Sequence, residues 1–321
     1  MQIRVAFRFF GVGLLFTLLG SGVLIAFLHY QDMRVANDHV RAGRKVTDTA
    51  RGSTEYGERG EGFPVLVIHG AGGGYDQGLW IGELFFGEGY RIIAPSRFGY
   101  LGAPIPLEPS IELQAEVYAS LLDALGIKRT VVLGFSAGGP SALQFALRHP
   151  HRTIALIMAS AVSYTEPLSD AGRRRLESRI NRIIGSDFFY WAIEKAAPAE
   201  FLTIIGVPKV VQRALKQEDL SIAFQTLELM HPMSQRFPGI LLDQTRHVPR
   251  DWPLHRISAP TLVIHARDDT LVPYPNGEYT LNAIPTAGLL SFETGGHLLL
   301  GHRKVIRDTI DRFLTKIVSF Y

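Results

Sequence analysis

The pentapeptide Gly134-Phe135-Ser136-Ala137-Gly138 constrains this chain more than any other feature, because of what flanks it. Before it runs Thr130-Val131-Val132-Leu133, a short β-branched apolar segment that reads as a buried strand. After it, Ala137 to Arg148 carries a helical pattern that stops before Pro150. A strand entering a helix through one tight turn strains the backbone of the residue at the apex. Glycines two before and two after the apex remove the Cβ atoms that would hold strand and helix apart. The turn lifts the Ser136 hydroxyl clear of the sheet, at a helix N-terminus where developing negative charge is favoured. The competing reading is a glycine-lined turn whose serine only caps the helix.

The same rhythm of short apolar runs and longer amphipathic segments recurs from about residue 64. Pro64–His69, Tyr90–Ala94, Ile154–Met158, Thr261–Ile264 and Leu289–Phe292 read as further strands. Ile111–Leu125, closed by Gly126, and Arg303–Val318 read as helices. This is the pattern of an α/β fold with a mostly parallel sheet flanked by helices. Between Tyr164 and Trp252 the strand rhythm vanishes and the pattern is helical, with an arginine cluster at Arg173–Arg175 and an aromatic run, Phe188-Phe189-Tyr190-Trp191. An insertion of this kind reads as a helical cap over the carboxyl ends of the strands, where open α/β sheets bind ligands. The expected core is residues 46–162 and 253–321, and the expected cap is 163–252.

The N-terminus reads differently. After a flank of residues 1–8 containing Arg4 and Arg8, an uncharged run extends from Phe9 to Leu28. About 20 apolar residues in a helix span a hydrocarbon core of about 30 Å. Residues 9–28 are therefore expected to be a single-pass transmembrane anchor, with 29–45 as its linker and a first hairpin somewhere before Gly62. A cleaved signal peptide competes, but the one small-x-small site, Gly20-Ser21-Gly22, would leave an apolar stretch exposed after cutting. Basic residues stand on both sides of the run, so sidedness stays open.

Composition excludes some chemistries. The chain has no cysteine, which removes thiol nucleophiles, disulfides and thiolate metal sites. The net charge is only +3, with no basic stripe interleaved with aromatics, so no nucleic-acid partner is expected.

Two further loops complete a reactive constellation. His69-Gly70-Ala71-Gly72-Gly73-Gly74 follows a strand and can present backbone N–H groups to an oxyanion, beside the N–H of Ala137. A nucleotide loop fails on spacing: Gly70 and Gly72 match G-x-G, but Tyr75 stands where the third glycine belongs, and no P-loop lysine follows. A serine needs a base, and the base needs an orienting acid. Asp268 and Asp269 lie just past one strand, and His297 lies in a glycine-rich loop past the last. Their order, Ser then Asp then His, is that of a nucleophile-elbow hydrolase. His302 is the second choice for the base, although it begins the last helix.

With these motifs in place, the chain resembles the α/β-hydrolase superfamily from about Val46 onward, and within it the capped serine hydrolases: esterases, lipases, perhydrolases and carbon–carbon bond hydrolases. The resemblance implies that Asp269 is the triad acid, through Asp269-Thr270-Leu271-Val272-Pro273, and that Ala71 is the second oxyanion donor. Ser136 argues against the epoxide hydrolases and dehalogenases of the group, which use an aspartate there. One departure stands out: Ser96, in Pro95-Ser96-Arg97-Phe98-Gly99, occupies a position where the family has Asp. The expected enzyme needs no metal or organic cofactor and takes a small-molecule ester. The apolar cap residues Phe188, Phe189, Trp191, Phe201, Leu202, Ile204 and Ile205 suggest an apolar acyl or alcohol part, unless they only form the cap's own core. A dienoic keto-acid cleaved at a carbon–carbon bond is the alternative substrate, and a pocket arginine such as Arg97 or Arg267 would favour it. A tethered binding protein on a hydrolase fold is the non-enzymatic alternative.

Overall fold

Strands with both faces covered have no polar face to show in sequence, and four of them organise this molecule. They are β3 (Phe63–Ile68), β5 (Thr130–Phe135), β6 (Thr153–Ala159) and β7 (Thr261–Ala266), and the last three are buried along their whole length. The computed structural model describes residues 2–166 and 185–318, with the backbone alone for 2–16 and 318. Arg173–Arg175 lie outside the described residues. The described strands form one eight-stranded sheet, ordered β1-β2-β4-β3-β5-β6-β7-β8. The others are β1 (Lys45–Thr49), β2 (Gly52–Arg59), β4 (Tyr90–Pro95) and β8 (Ala287–Phe292). The β1–β2 hairpin and the β2–β4 pair are antiparallel, and every other pairing is parallel.

Alternation along β5 divides the core. Val132 points into a cluster with Leu156, Tyr118 and Leu143, under α3 (Ile111–Ala124) and α4 (Gly139–Arg148). Val131 and Leu133 point to the other face, with Tyr75, Phe85, Ile157 and Ile306, under α2 (Tyr75–Phe85) and the last helix, Arg303–Val318. The signals that bounded α3 in sequence act as expected: the Ser110 hydroxyl accepts from Leu113 N at 3.0 Å, and Gly126 takes φ +69° just past the end.

Between β6 and β7 the described residues form the helices α5 (Asp187–Ala196), α6 (Pro198–Ile204), α7 (Lys209–Ala214), α8 (Gln217–Glu228) and α9 (Phe237–Thr245). Leu202, Val207, Val211, Ala223 and Leu227 form their small shared core. This cap is tied to the sheet by charge as well as packing. Arg236, at the start of α9 and fully buried, grips Asp76 of α2 through two bonds of 2.9 and 2.6 Å.

The N-terminus requires a correction. A 41-residue helix, α1 (Gln2–Ala42), carries the expected anchor. Among the described residues, however, no helix is long and apolar enough to cross a membrane. The side chains of residues 9–16, almost half of the expected span, lie outside the described set. The lack of such a helix among the described residues corrects the transmembrane anchor expected over residues 9–28 and the single-pass membrane location drawn from it. Residues 29–42, read in sequence as linker, continue the helix and pack on protein. Met33 and Val40 are buried, Trp191 Nε1 donates to Asp32 Oδ2 at 2.8 Å, and the Tyr75 hydroxyl donates to Val40 O.

The Arg236–Asp76 pair yields a stability prediction. Arg236→Leu strands a buried carboxylate, and urea unfolding should show a loss of about 3–5 kcal/mol. Arg236→Leu combined with Asp76→Leu should recover most of it. Equal losses in the single and double variants would mean that shape, not charge, is what the pair supplies.

Candidate active site

The turn after β5 has the geometry its glycines allow. Ser136 is buried and sits at φ +51°, a left-handed conformation costly for a residue with a Cβ. A Cβ on Gly138 would lie 2.4 Å from Ile68 O, and one on Gly134 would lie 2.7 Å from the Ala142 Cβ. Gly70 of the neighbouring loop passes over the serine, where a Cβ would come within 3.0 Å of the Ser136 Cβ. Any side chain at these positions would push β3, β5 and α4 apart.

Because β3, β5, β7 and β8 run parallel, the loops leaving their carboxyl ends meet at one edge. There His297 Nε2 stands 2.9 Å from Ser136 Oγ, and His297 Nδ1 stands 2.8 Å from Asp269 Oδ2. A carboxylate only accepts, so the proton is on Nδ1 and the lone pair of Nε2 faces the serine. Asp269 Oδ1 takes the N–H groups of Leu271 and Val272, each at 2.9 Å, which aims Oδ2 at the imidazole. Burial raises the Asp269 pKa, but His297, His265 and the Val272 N–H outweigh it and bring the carboxyl to about 2. Asp268 does not share this role. Its oxygens accept from Gly295 N at 3.3 Å and Gly296 N at 2.8 Å, holding the loop that carries His297. From the cap side, Gly206 O accepts from His297 N at 2.8 Å. His302 stacks on Phe292 and bonds Thr294 O, supporting the loop away from the serine.

The loop at 69–74 is held by its carbonyls. Arg97 Nη2 and His69 Nδ1 both approach Gly70 O, at 3.2 and 2.7 Å. His69 Nε2 accepts from Arg97 N at 3.0 Å, so Nδ1 carries the proton and donates. Burial, reinforced by the Arg97 charge, holds the His69 imidazole well below the usual histidine range, so the ring is neutral. In a trans peptide the N–H points opposite the C=O. Fixing Gly70 O therefore fixes the N–H of Ala71, and neither that N–H nor that of Ala137 is hydrogen-bonded among the described residues. Gly72 takes φ +72° beneath Met230, which lets the loop turn there.

Several contacts were invisible in sequence. Where the family has Asp, Ser96 donates to Glu55 Oε1 at 2.7 Å, so a carboxylate from β2 serves that corner. Arg97 is buried and doubly bonded to Asp243, at 2.7 and 2.6 Å, and Arg267 pairs with Glu293 at the surface. Both arginines therefore have carboxylate partners within the protein, Arg97 in the interior and Arg267 at the surface. The cap aromatics also differ from the expected lining. Phe188, Phe189 and Ile204 are exposed, Leu202 belongs to the cap core, and Trp191 packs toward α1. Pattern alone cannot separate an apolar wall from an apolar core. Among the described residues no group of three His, Asp or Glu could hold a metal ion.

Residues 64–302 match the family model of the alpha/beta hydrolase fold, so this chain belongs to that family and is a hydrolase. It is 29% identical over 266 residues to an uncharacterized hydrolase, YcgS, of Bacillus subtilis, covering 77% of this chain and 89% of that one. It is 27% identical over 274 residues to 2-hydroxymuconate semialdehyde hydrolase of Pseudomonas putida, covering 82% and 91%. An alpha/beta hydrolase fold protein from Nakamurella multipartita superposes with a TM-score of 0.64 at 27% identity, over 84% of this chain and 98% of that one.

The two carboxylates should separate in kinetics. Asp269→Asn favours the wrong imidazole tautomer, a change that costs about 10⁴ in kcat in serine proteases. A loss of at least about a hundredfold in kcat/KM is expected here, against less than about tenfold for Asp268→Asn, which keeps an acceptor for Gly296 N. A larger loss at Asp268 would transfer the role. Because Asp269 stays ionised down to about pH 2, the acid limb of kcat/KM should follow a single protonation. A limb with a slope of two on logarithmic axes would show a second group titrating.

Proposed function

We propose that this protein hydrolyses carboxylic esters through an acyl-enzyme on Ser136. The carrying observation is the hydrogen-bonded line from Asp269 through His297 to Ser136, with the lone pair of Nε2 facing Oγ. His297 takes the Ser136 proton as Oγ attacks the substrate carbonyl, and Asp269 balances the imidazolium that forms. The N–H groups of Ala71 and Ala137 receive the oxyanion, each such donor being worth about 2.7–4 kcal/mol to the transition state. His297 then protonates the departing alcohol, and water opens the acyl-enzyme by the same steps in reverse. His69 and Arg97 act at one remove, by holding the carbonyl of the Ala71 peptide.

The similarity to 2-hydroxymuconate semialdehyde hydrolase supports a second reading, cleavage of a carbon–carbon bond in a keto-acid by the same residues. Two assays distinguish them. A fluorophosphonate probe should label the wild type and not Ser136→Ala, whichever bond is cut. Activated esters should then be turned over with a burst of alcohol, and Ser136→Ala should lower that turnover by about 10⁶. Label on Ser96 or Ser141 would overturn the nucleophile, and turnover of dienoic keto-acids alone would favour the second reading.

A further inference from the structure

Beside the serine turn lies a cavity of about 80 Å³, between Ala137, Pro140 and Ser141 on one side and Val162, Asp243 and Arg246 on the other. Asp243 is already engaged, both oxygens by Arg97 and Oδ2 also by the Tyr100 hydroxyl at 2.5 Å. Arg246, just past the end of α9, is different. Its Nε and Nη2 are buried and have no hydrogen-bond partner among the described residues. These two nitrogens share one edge of the guanidinium, so their N–H bonds run parallel, the fork that takes both oxygens of a carboxylate. Buried donors of a charged group are rarely left empty, because their lost hydration is uncompensated. Among the described residues the local charge count agrees: Arg97 and Arg246 share the one carboxylate that lines the cavity, that of Asp243. Burial pulls the Arg246 guanidinium below its ordinary range, with Asp243 raising it and Arg97 lowering it again.

We infer that this cavity receives a carboxylate belonging to the substrate, with Arg246 as its ligand, so that the enzyme acts on esters bearing a free acid a few atoms from the scissile carbonyl. The inference rests on the ester reading above for the reaction, and on the cavity alone for the binding. A carboxylate fits better than a phosphate monoester, whose charge of about −1.5 to −2 would exceed the single positive charge of Arg246 and meet Asp243. Ile111, Val162 and Val248 line the same cavity and suit a methylene spacer. The bond changes are those of ester hydrolysis: Ser136 Oγ bonds the acyl carbon, and the alkoxy oxygen leaves with the proton from His297. The water oxygen then ends on the acid product, and Ser136 regains its proton.

Matched esters test this. Phenyl hydrogen glutarate is compared with phenyl pentanoate on the acyl side, and acetoxybutanoate with butyl acetate on the alcohol side, with shorter and longer spacers of each. The wild type should favour at least one acid-bearing series by at least about tenfold in kcat/KM, chiefly through KM. Arg246→Met should erase that preference and Arg246→Lys, which keeps the charge but not the fork, should retain part of it. No preference in any series, or a preference that survives Arg246→Met, overturns the inference. If no ester is turned over, the ester reading fails, and the cavity is judged by calorimetry with glutarate monomethyl ester on Ser136→Ala. Binding that disappears when Arg246→Met is added upholds the carboxylate site, and an absence of binding overturns it. Thermal midpoints confirm that each variant is folded, and competition by glutarate against the fluorophosphonate probe on the wild type serves if Arg246→Met is not.

Discussion

At the end of β5 two strands and a helix come closer than side chains would permit. Gly138 lies against the carbonyls of Ile68 and His69, and Gly134 lies against Ala142, at distances a Cβ could not occupy. That approach forces Ser136 into its left-handed conformation and brings the loop after β3 directly over the hydroxyl. The strain of about 1–3 kcal/mol that such a residue carries is tolerable because the sheet on either side is fully buried and over-determines the turn. Every later feature of the site, from the glycine loop after β3 to the reach of His297, is measured from that point.

Buried charge then holds the cap and the glycine loop to this frame. Arg97 ties the carbonyls of Gly70 and Ala137 to Asp243 at the end of the cap, and Arg236 ties the cap to Asp76 beneath the glycine loop. Such pairs add little net stability over apolar residues of the same shape, but breaking one is costly. They therefore suit registration better than adhesion. The cap cannot shift without disturbing the Gly70–Ala71 peptide, whose carbonyl Arg97 holds. Its other link to the site, Gly206 O on His297 N, couples the base to the same element. The order of cap and site is thus one mechanical unit.

Arg246 stands out against that economy. Arg97 and Arg236 each grip a carboxylate with two nitrogens, whereas the buried fork of Arg246 meets no partner among the described residues. The structural place of α1 is also informative. Its second half is clamped by Asp32 on Trp191 and by Asn37 on Gln235, so the helix reaches the cap residues next to Arg236. The N-terminal element is therefore part of the cap's support.

The elbow, the Ser–Asp–His order and the covered parallel strands were legible in the sequence because each depends on local chain chemistry: glycine beside an apex serine, apolar runs without a polar face, loops just past strand ends. The choice of Asp269 over Asp268 came only through resemblance, since two adjacent carboxylates look alike until Oδ1 is seen to take the Leu271 and Val272 N–H groups. The remaining contacts are between residues far apart in the chain, Glu55 with Ser96, Asp243 with Arg97, Asp76 with Arg236. Charged residues at such positions read in sequence as solvated surface, and the aromatics of the cap read as a pocket. Which charges are buried and which are paired was decided by tertiary packing, because burial and pairing are properties of the assembled interior and not of any one segment.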